Sequence, residues 1–373
     1  MSVRLQRRRD SPPFDRSIAV DDTRVADYEP LIAPNMIEME NPLSDISKVT
    51  VVRGRRHARN ILNGEDDRLL VIVGPCSIHD VDAAVEYANR LKALAEQHKD
   101  TLAIIMRTYF EKPRTTVGWK GLINDPFMDG SFRINQGICI ARQLLNEITH
   151  LGVPVGFELL DTISPQYFSD LVSWGAIGAR TTECQLHREL VSGVSFPVGF
   201  KNGTDGGVGV ALDAIQAAAH PHHFLGVTKQ GITSIVHTSG NDTCHVILRG
   251  GKNGPNFKES HVREVTSQLE ARGERARVMV DASHGNSNKD HNNQLLVIQD
   301  VARQVEGGST SVFGVMIESN IHEGSQTVSS SGPKGLKYGV SITDACVGWE
   351  TTVDMMDILS KAVIARRAKL AVV

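Results

Sequence analysis

Cys76 follows the apolar run Leu69–Val73 and the turn Gly74-Pro75, and it opens a series. Reading the residue that closes each short apolar run gives Cys76, Arg107, Glu158, Arg180, Lys201, Lys229, His284 and Glu318, none of them apolar. The thiol of Cys76, the imidazole of His284 and the carboxylates of Glu318 and Asp344 supply one soft, one intermediate and two hard donors. That mixture suits a divalent Mn, Fe, Co or Zn ion acting as a Lewis acid better than Mg or Ca, which avoid sulfur. Arg107, Arg180 and Lys201, joined by Arg249, would build a positive pocket for a small, multiply charged anion. Arginine offers a planar fork to phosphate or carboxylate, and lysine a point charge. The loop Glu111–Gly121, with Lys112, Arg114, Thr115 and Thr116 around Pro113, reads as a second phosphate cradle. A single buried cysteine is more often an inert small hydrophobe, and a single cation more often a surface ion pair. Recurrence at the end of run after run is what turns those odds.

The elements that must position these residues show in the periodicity. Fully apolar runs of the parallel-sheet kind recur at Leu69–Val73, Leu102–Met106, Val153–Phe157, Ala176–Ala179, Pro197–Phe200, His223–Val227, Val278–Val280 and Val312–Ile317. Helical stripes lie between them: Ala84, Ala88, Leu91 and Ala95 share a face, Ser164-Pro165 marks a helix start, and Leu295, Ile298, Ala302 and Val305 precede Gly307-Gly308. Strand–helix alternation repeated this way predicts an α/β chain folded as a (β/α)8 TIM barrel, and no dinucleotide fingerprint argues for a doubly wound sheet. Thr233–Thr238 and Thr243–Leu248, around Ser239–Asp242, predict an inserted β-hairpin at about 233–248. Residues 1–50, punctuated by Pro12, Pro13, Pro30, Pro34 and Pro42, predict an N-terminal arm ahead of a catalytic barrel over 51–373.

Composition narrows the function classes. The 373 residues carry 40 Lys and Arg against 43 Asp and Glu, so there is no global basic footprint for nucleic acid or an anionic membrane, and any anion site must be local. Five cysteines without CxxC spacing suggest neither a disulfide framework nor a zinc ribbon. Without an apolar run of membrane-spanning length or a cleavable leader, the sequence reads as soluble and cytoplasmic.

GPCSIHD at 74–80, EKPRTTVGWKGLINDP at 111–126, GAIGARTTE at 175–183, PVGFKNGTDG at 197–206, HVILRGG at 245–251, SHGNSNKD at 283–290, GVMIES at 314–319 and SITDACVGWE at 341–350 carry a further signal. Together they resemble the microbial type I 3-deoxy-D-arabino-heptulosonate-7-phosphate (DAHP) synthases, over about residues 50–365. The resemblance implies condensation of phosphoenolpyruvate with D-erythrose 4-phosphate and water, the entry step of the shikimate pathway. It makes Cys76, His284, Glu318 and Asp344 metal ligands, and Arg107, Lys112, Arg180, Lys201 and Arg249, with the backbone of Gly178 and Ala179, the phosphoenolpyruvate site. Lys112, Glu158 and His284 fall in the catalytic set, with Glu158 near the reacting water. Arg114, Thr115 and Asp344 fall where erythrose 4-phosphate is held. It further implies a homodimer or homotetramer, with feedback inhibition by an aromatic amino acid at Ser195, Phe224 and Gly226. Glycine rather than serine at 226 favours tyrosine over phenylalanine, and the wording of the motifs looks fungal.

Two other readings stay open on the sequence. Lys201 could be the Schiff-base lysine of a metal-free sugar-phosphate aldolase, or the pocket could belong to a non-catalytic sensor of phosphorylated metabolites.

Overall fold

Leu69–Gly74 is buried along its whole length, as a strand covered on both faces must be, and it is paired in parallel on both sides. A computed structural model of the protein describes residues 20–113, 118–328 and 332–371, so Arg114 and Thr115 of the expected phosphate cradle lie outside the described residues. From the N-terminus come α1 (Pro34–Glu40), α2 (Asp45–Asn63), β1 (Leu69–Gly74), α3 (Val81–Gln97), β2 (Leu102–Arg107), α4 (Ile134–His150), β3 (Val155–Glu158), α5 (Pro165–Phe168), β4 (Val172–Ile177) and α6 (Gln185–Val191). Then follow β5 (Val198–Lys201), α7 (Gly209–Ala218), β6 (His223–Val227), β7 (Thr233–His237), β8 (Cys244–Leu248), α8 (Glu259–Ala271), β9 (Val278–Asp281), α9 (Asn293–Glu306), β10 (Val312–Glu318) and α10 (Trp349–Leu370). The parallel strands close in the order β1-β10-β9-β8-β5-β4-β3-β2, the expected (β/α)8 barrel. Residues 20–31 belong to a separate unit, within which the Tyr28 hydroxyl donates to Asp22 at 2.8 Å. Among the described residues no helix is long and apolar enough to cross a membrane.

The inserted hairpin exists, but not where the sequence placed it. His223–Val227 is no barrel strand: β6 pairs antiparallel with β7, from His223 opposite His237 to Val227 opposite Thr233. The sixth strand of the barrel is β8, which pairs with β5 from Val198 opposite Cys244 to Lys201 opposite Ile247. Burial explains the exchange, since β8 is buried throughout whereas Leu225 in β6 is 80% exposed. Two short apolar runs of similar wording thus trade places. As a consequence Lys229 leaves the series of strand-end residues and pairs instead with Glu38, while Arg249 takes the barrel position.

The expected arm is also not extended throughout. Pro34 opens α1, where a fixed φ suits the first helical turn, and Ser44 caps α2 by accepting from the Ser47 amide at 3.1 Å. Ser164 caps nothing through its hydroxyl; Asp161 takes the amide of Ser164 at 2.8 Å, and α5 stops at Phe168 because Val172 already begins β4.

A second core fills the barrel interior with Leu70, Ile72, Ile105, Trp174, Ile247, Met279 and Met316, and Ala58, Ile61 and Leu62 of α2 join it. Helix α2 therefore plugs the barrel at the end where the strands begin. Gly54 makes the close approach possible, because a Cβ there would lie 2.5 Å from Ser173 Oγ and 2.7 Å from Pro154 Cβ. Gly54→Val is expected to lower the unfolding free energy by about 1–3 kcal/mol, read from urea denaturation, whereas a helix on a loose arm would tolerate the change.

Candidate active site

Chemistry in such a barrel gathers where the strands end. Gly74 closes β1 at φ +156°, and a Cβ there would lie 2.7 Å from the Arg107 carbonyl, so the chain can turn toward β2 only as glycine. The turn presents Cys76, whose amide donates to Cys346 Sγ at 3.4 Å, and four residues later Asp80 caps α3 through the Ala83 amide at 3.0 Å. Arg107, 2% exposed at the end of β2, lies over the Tyr109 ring at 3.7 Å and donates to the Pro75 carbonyl at 3.0 Å and to Glu318 Oε1 at 2.9 Å. Lys201 at the end of β5 is ion-paired with Asp281 at the end of β9 at 2.8 Å. Asp281 also takes the Ser283 hydroxyl at 2.6 Å and stands 3.0 Å from His284 Nδ1. His284 itself holds φ at +57°, a left-handed conformation uncommon for residues with a side chain, which turns the ring back toward the barrel mouth.

These groups surround a cavity of about 310 Å³. Cys76, Arg107, Lys112, Glu158, Gly178, Ala179, Arg180, Lys201, Arg249, His284 and Asp344 all line it. Glu318 lies behind the wall, reached through Arg107. Cys76, Glu318 and Asp344 bring one donor atom each to within 4.8 Å of one another. His284 does not join that trio at the same spacing; its Nε2 stands 3.9 Å from Glu318 Oε1. Lys112 places its ammonium 2.9 Å from Cys76 Sγ and 2.7 Å from Asp344 Oδ2, so a positive charge already sits among the donors. Arg180 donates to the Pro113 carbonyl at 2.7 Å, and the Arg249 amide is held by Asn202 at 2.8 Å.

The electrostatics follow from burial and pairing. Burial pushes the Cys76 thiol up, and the Glu318 carboxylate adds to it. Asp344 drops to about 2: burial would raise it, but the Lys112 ammonium at contact distance prevails. Glu318 is lowered too, its burial outweighed by His284, Arg107 and Lys112. For Lys112, burial works toward the neutral amine, yet Cys76, Glu318 and Asp344 hold it firmly protonated. One acid goes the other way: Glu111, 7% exposed, is raised to about 9 by burial, by Asp161 and by Glu158.

Sequence reasoning missed several supporting residues. Asp281 sits inside a run of Val and Met and reads as a strand residue, although the Ser-His that follows it was a usable signal. Tyr109 and Cys346 stand beside foreseen residues without a pattern of their own. Ser195, Phe224 and Gly226, expected to bind an effector, line a separate cavity of about 440 Å³ between the hairpin β6–β7 and the segments around α5 and α6. A Cβ on Gly226 would lie 2.7 Å from Val236 Cγ2 on the opposite strand.

A closed parallel barrel with cations, a thiol and carboxylates converging at its strand ends is the architecture of a (β/α)8-barrel enzyme with a basic candidate active site. The chain belongs to the DAHP synthetase I family, whose profile matches residues 40–357, and it is an enzyme of the DAHP synthase type. It is 57% identical over 352 residues to a phospho-2-dehydro-3-deoxyheptonate aldolase of Candida albicans named as tyrosine-inhibited, covering 93% of this chain and 95% of that protein. It is 56% identical over 347 residues to the Phe-sensitive aldolase of Escherichia coli, covering 93% and 98%. The solved phospho-2-dehydro-3-deoxyheptonate aldolase of Francisella tularensis superposes with a TM-score of 0.90 at 50% identity, over 92% of this chain and 99% of that one.

The Lys201–Asp281 pair carries a stability consequence. Asp281 is held well below its ordinary 3.8, because Lys201 and His284 outweigh the cost of burial. Its stabilisation is therefore complete above that value and is lost as pH falls through the folded value. Asp281→Asn is expected to cost about 3–5 kcal/mol at neutral pH by leaving a buried ammonium unpaired. In urea titrations at a series of pH values, the gap to the parent should shrink only below about pH 4.

Proposed function

We propose that the chain condenses phosphoenolpyruvate with D-erythrose 4-phosphate and water to give DAHP and phosphate. The observation that carries this is one cavity lined by Arg107, Lys112, Arg180, Lys201 and Arg249 together with Cys76 and Asp344, whose donor trio Glu318 completes from behind the wall. Two substrates that both bear phosphate repel one another, and a nest of cations offsets that repulsion while setting their relative orientation. Orientation of this kind can remove roughly 7–11 kcal/mol of barrier. Arg180, Lys201, Arg249 and the amides of Gly178 and Ala179 hold phosphoenolpyruvate, with Arg107 and Lys112 beside its reacting end. Arg114 and Thr115 receive the phosphate of the aldose, and Asp344 its polar end.

In the reaction, carbon 3 of phosphoenolpyruvate bonds to the aldehyde carbon. Lys112 delivers a proton to the aldehyde oxygen. Water adds at carbon 2, passing one proton to Glu158, and the bond from carbon 2 to the phosphate oxygen then breaks with its electron pair going to phosphate, which takes the remaining hydroxyl proton as the carbon 2 ketone forms. The donor set fits a resident ion: a thiol and two carboxylates within 4.8 Å, an imidazole beside them, and an ammonium that marks the place as one favouring positive charge. A divalent ion of the Mn, Fe, Co or Zn type, held by Cys76, His284, Glu318 and Asp344, would supply Lewis acidity toward the aldehyde oxygen.

The Schiff-base reading of Lys201 loses ground to its 2.8 Å ion pair with buried Asp281, which occupies the nitrogen that would have to attack. The cavity lined by Ser195, Phe224 and Gly226 is proposed as the site where tyrosine inhibits the enzyme, in a cytoplasmic homodimer or homotetramer to which the N-terminal arm contributes contacts.

Phosphate release measured with both substrates, after chelation and after restoring each metal, tests the main reading. Activity should vanish on chelation and return with a divalent ion, and Cys76→Ala should lose at least ~100-fold in turnover. Full turnover of Cys76→Ala would overturn the ligand assignment. For the effector, Gly226→Ser must displace Val236, so it should raise the tyrosine concentration needed for half-inhibition severalfold while leaving uninhibited turnover unchanged.

A further inference from the structure

At the end of the barrel opposite the catalytic mouth lies a second cavity rich in arginine. We infer that the protein carries a second anion site there, built by Arg277 and Arg366 and shaped for a phosphate group. The site is a cavity of about 360 Å³ beside the beginnings of β1, β9 and β10 and the last turns of α10. It shares no residue with the proposed active site, and the inference does not depend on that reading.

Charge accounting makes the case. Four arginines and two aspartates line the cavity. Arg68 is paired with Asp66 at 2.6 Å and Arg367 with Asp67 at 2.5 Å, and both carboxylates are pulled down by these partners against their burial. That leaves Arg277 and Arg366. Among the described residues neither has a carboxylate within ion-pair distance; Arg277 donates to the Ile61 carbonyl at 3.0 Å, and Arg366 to the carbonyls of Asp67 and Ser309. A neutral donor would serve those carbonyls equally well, and carbonyls do not cancel a full charge. Arg366 is 5% exposed, and burial, partly offset by Asp67 and reinforced by repulsion from Arg277, depresses its affinity for the proton. A buried guanidinium, Arg366, facing the like charge of half-buried Arg277 is costly unless an anion completes them.

The local chain is arranged around them. Gly64 ends α2 at φ +81°, and a Cβ there would lie 2.7 Å from Arg277 Nη2, so glycine leaves room for the guanidinium beside the turn. The planar fork of arginine matches phosphate oxygens two at a time, and guanidiniums are the least hydrated of the cations available. Thr310 adds a hydroxyl to the lining and Phe313 an apolar wall, room for a short carbon body beside the phosphate. Free phosphate and a small phosphate monoester share the dianion this site fits.

Hydrogen–deuterium exchange of the full chain tests the proposal, because the catalytic mouth also attracts phosphate and a local readout separates the two ends. Inorganic phosphate and glycerol 3-phosphate, each at constant ionic strength, should slow exchange in residues 60–68 and 363–371. Protection by both probes marks a site for the dianion itself, and protection by glycerol 3-phosphate alone marks a monoester site. Arg277→Gln should weaken the effect by about tenfold or more, while Arg249→Gln, in the catalytic mouth, should leave it intact. Arg277→Lys keeps the charge without the fork and should fall between the parent and Arg277→Gln; it also serves if the glutamine variant does not fold. Exchange in these two segments that neither probe slows, or slowing unchanged in Arg277→Gln and Arg277→Lys, overturns the proposal.

Discussion

A basic site inside a low-dielectric barrel is possible only if each buried cation is matched by an anion from another strand, and the architecture depends on that pairing. Arg107 on β2 is matched by Glu318 on β10 and Lys201 on β5 by Asp281 on β9, while Lys112 is paired with Asp344. Removing either member of the two buried pairs would strand a charge that water cannot reach. The first pair must reach across β1, which lies between its partners in the sheet. Gly74, in register with Glu318 and pressed against the Arg107 backbone, has no side chain to obstruct it. A motif that looks like a turn before a cysteine therefore also serves as the gap through which the two strands flanking β1 are tied electrostatically.

The pairing has a chemical corollary. The acids that neutralise the cations are the groups suited to hold a metal or steer a proton, so the balance of charge that stabilises the mouth also prepares it for reaction. Lys112 illustrates this, since one ammonium bonds both a thiol and a carboxylate of the donor trio while lining the anion cavity. Meanwhile α2 seals the other end with Ala58, Ile61 and Leu62, so the interior is packed rather than open. The two ends divide the work, chemistry where strands finish and closure where they begin.

Cys76, Arg107, Glu158, Arg180, Lys201, His284 and Glu318 were legible because each ends a short apolar run, where polar residues are conspicuous. The supporting groups were not. Asp281 lies inside its strand and becomes special only when Lys201, far away in the chain, arrives beside it. The exchange of β6 for β8 has the same origin, since Phe224-Leu225-Gly226-Val227 and His245-Val246-Ile247-Leu248 are both apolar, and the difference is which one other strands cover.

By itself the sequence determined the periods: which segments are strands, which are helices, and which reactive residues stand at their ends. These are local properties, set by neighbours within a few positions. Only the tertiary structure decided that β8 and not β6 completes the barrel, that His284 lies farther from the thiol and carboxylate trio than equal partnership would require, and that Arg277 and Arg366 have no carboxylate at ion-pair distance among the described residues. Those outcomes depend on which distant segments share the limited space around a closed sheet, and on how far apart their charges come to rest.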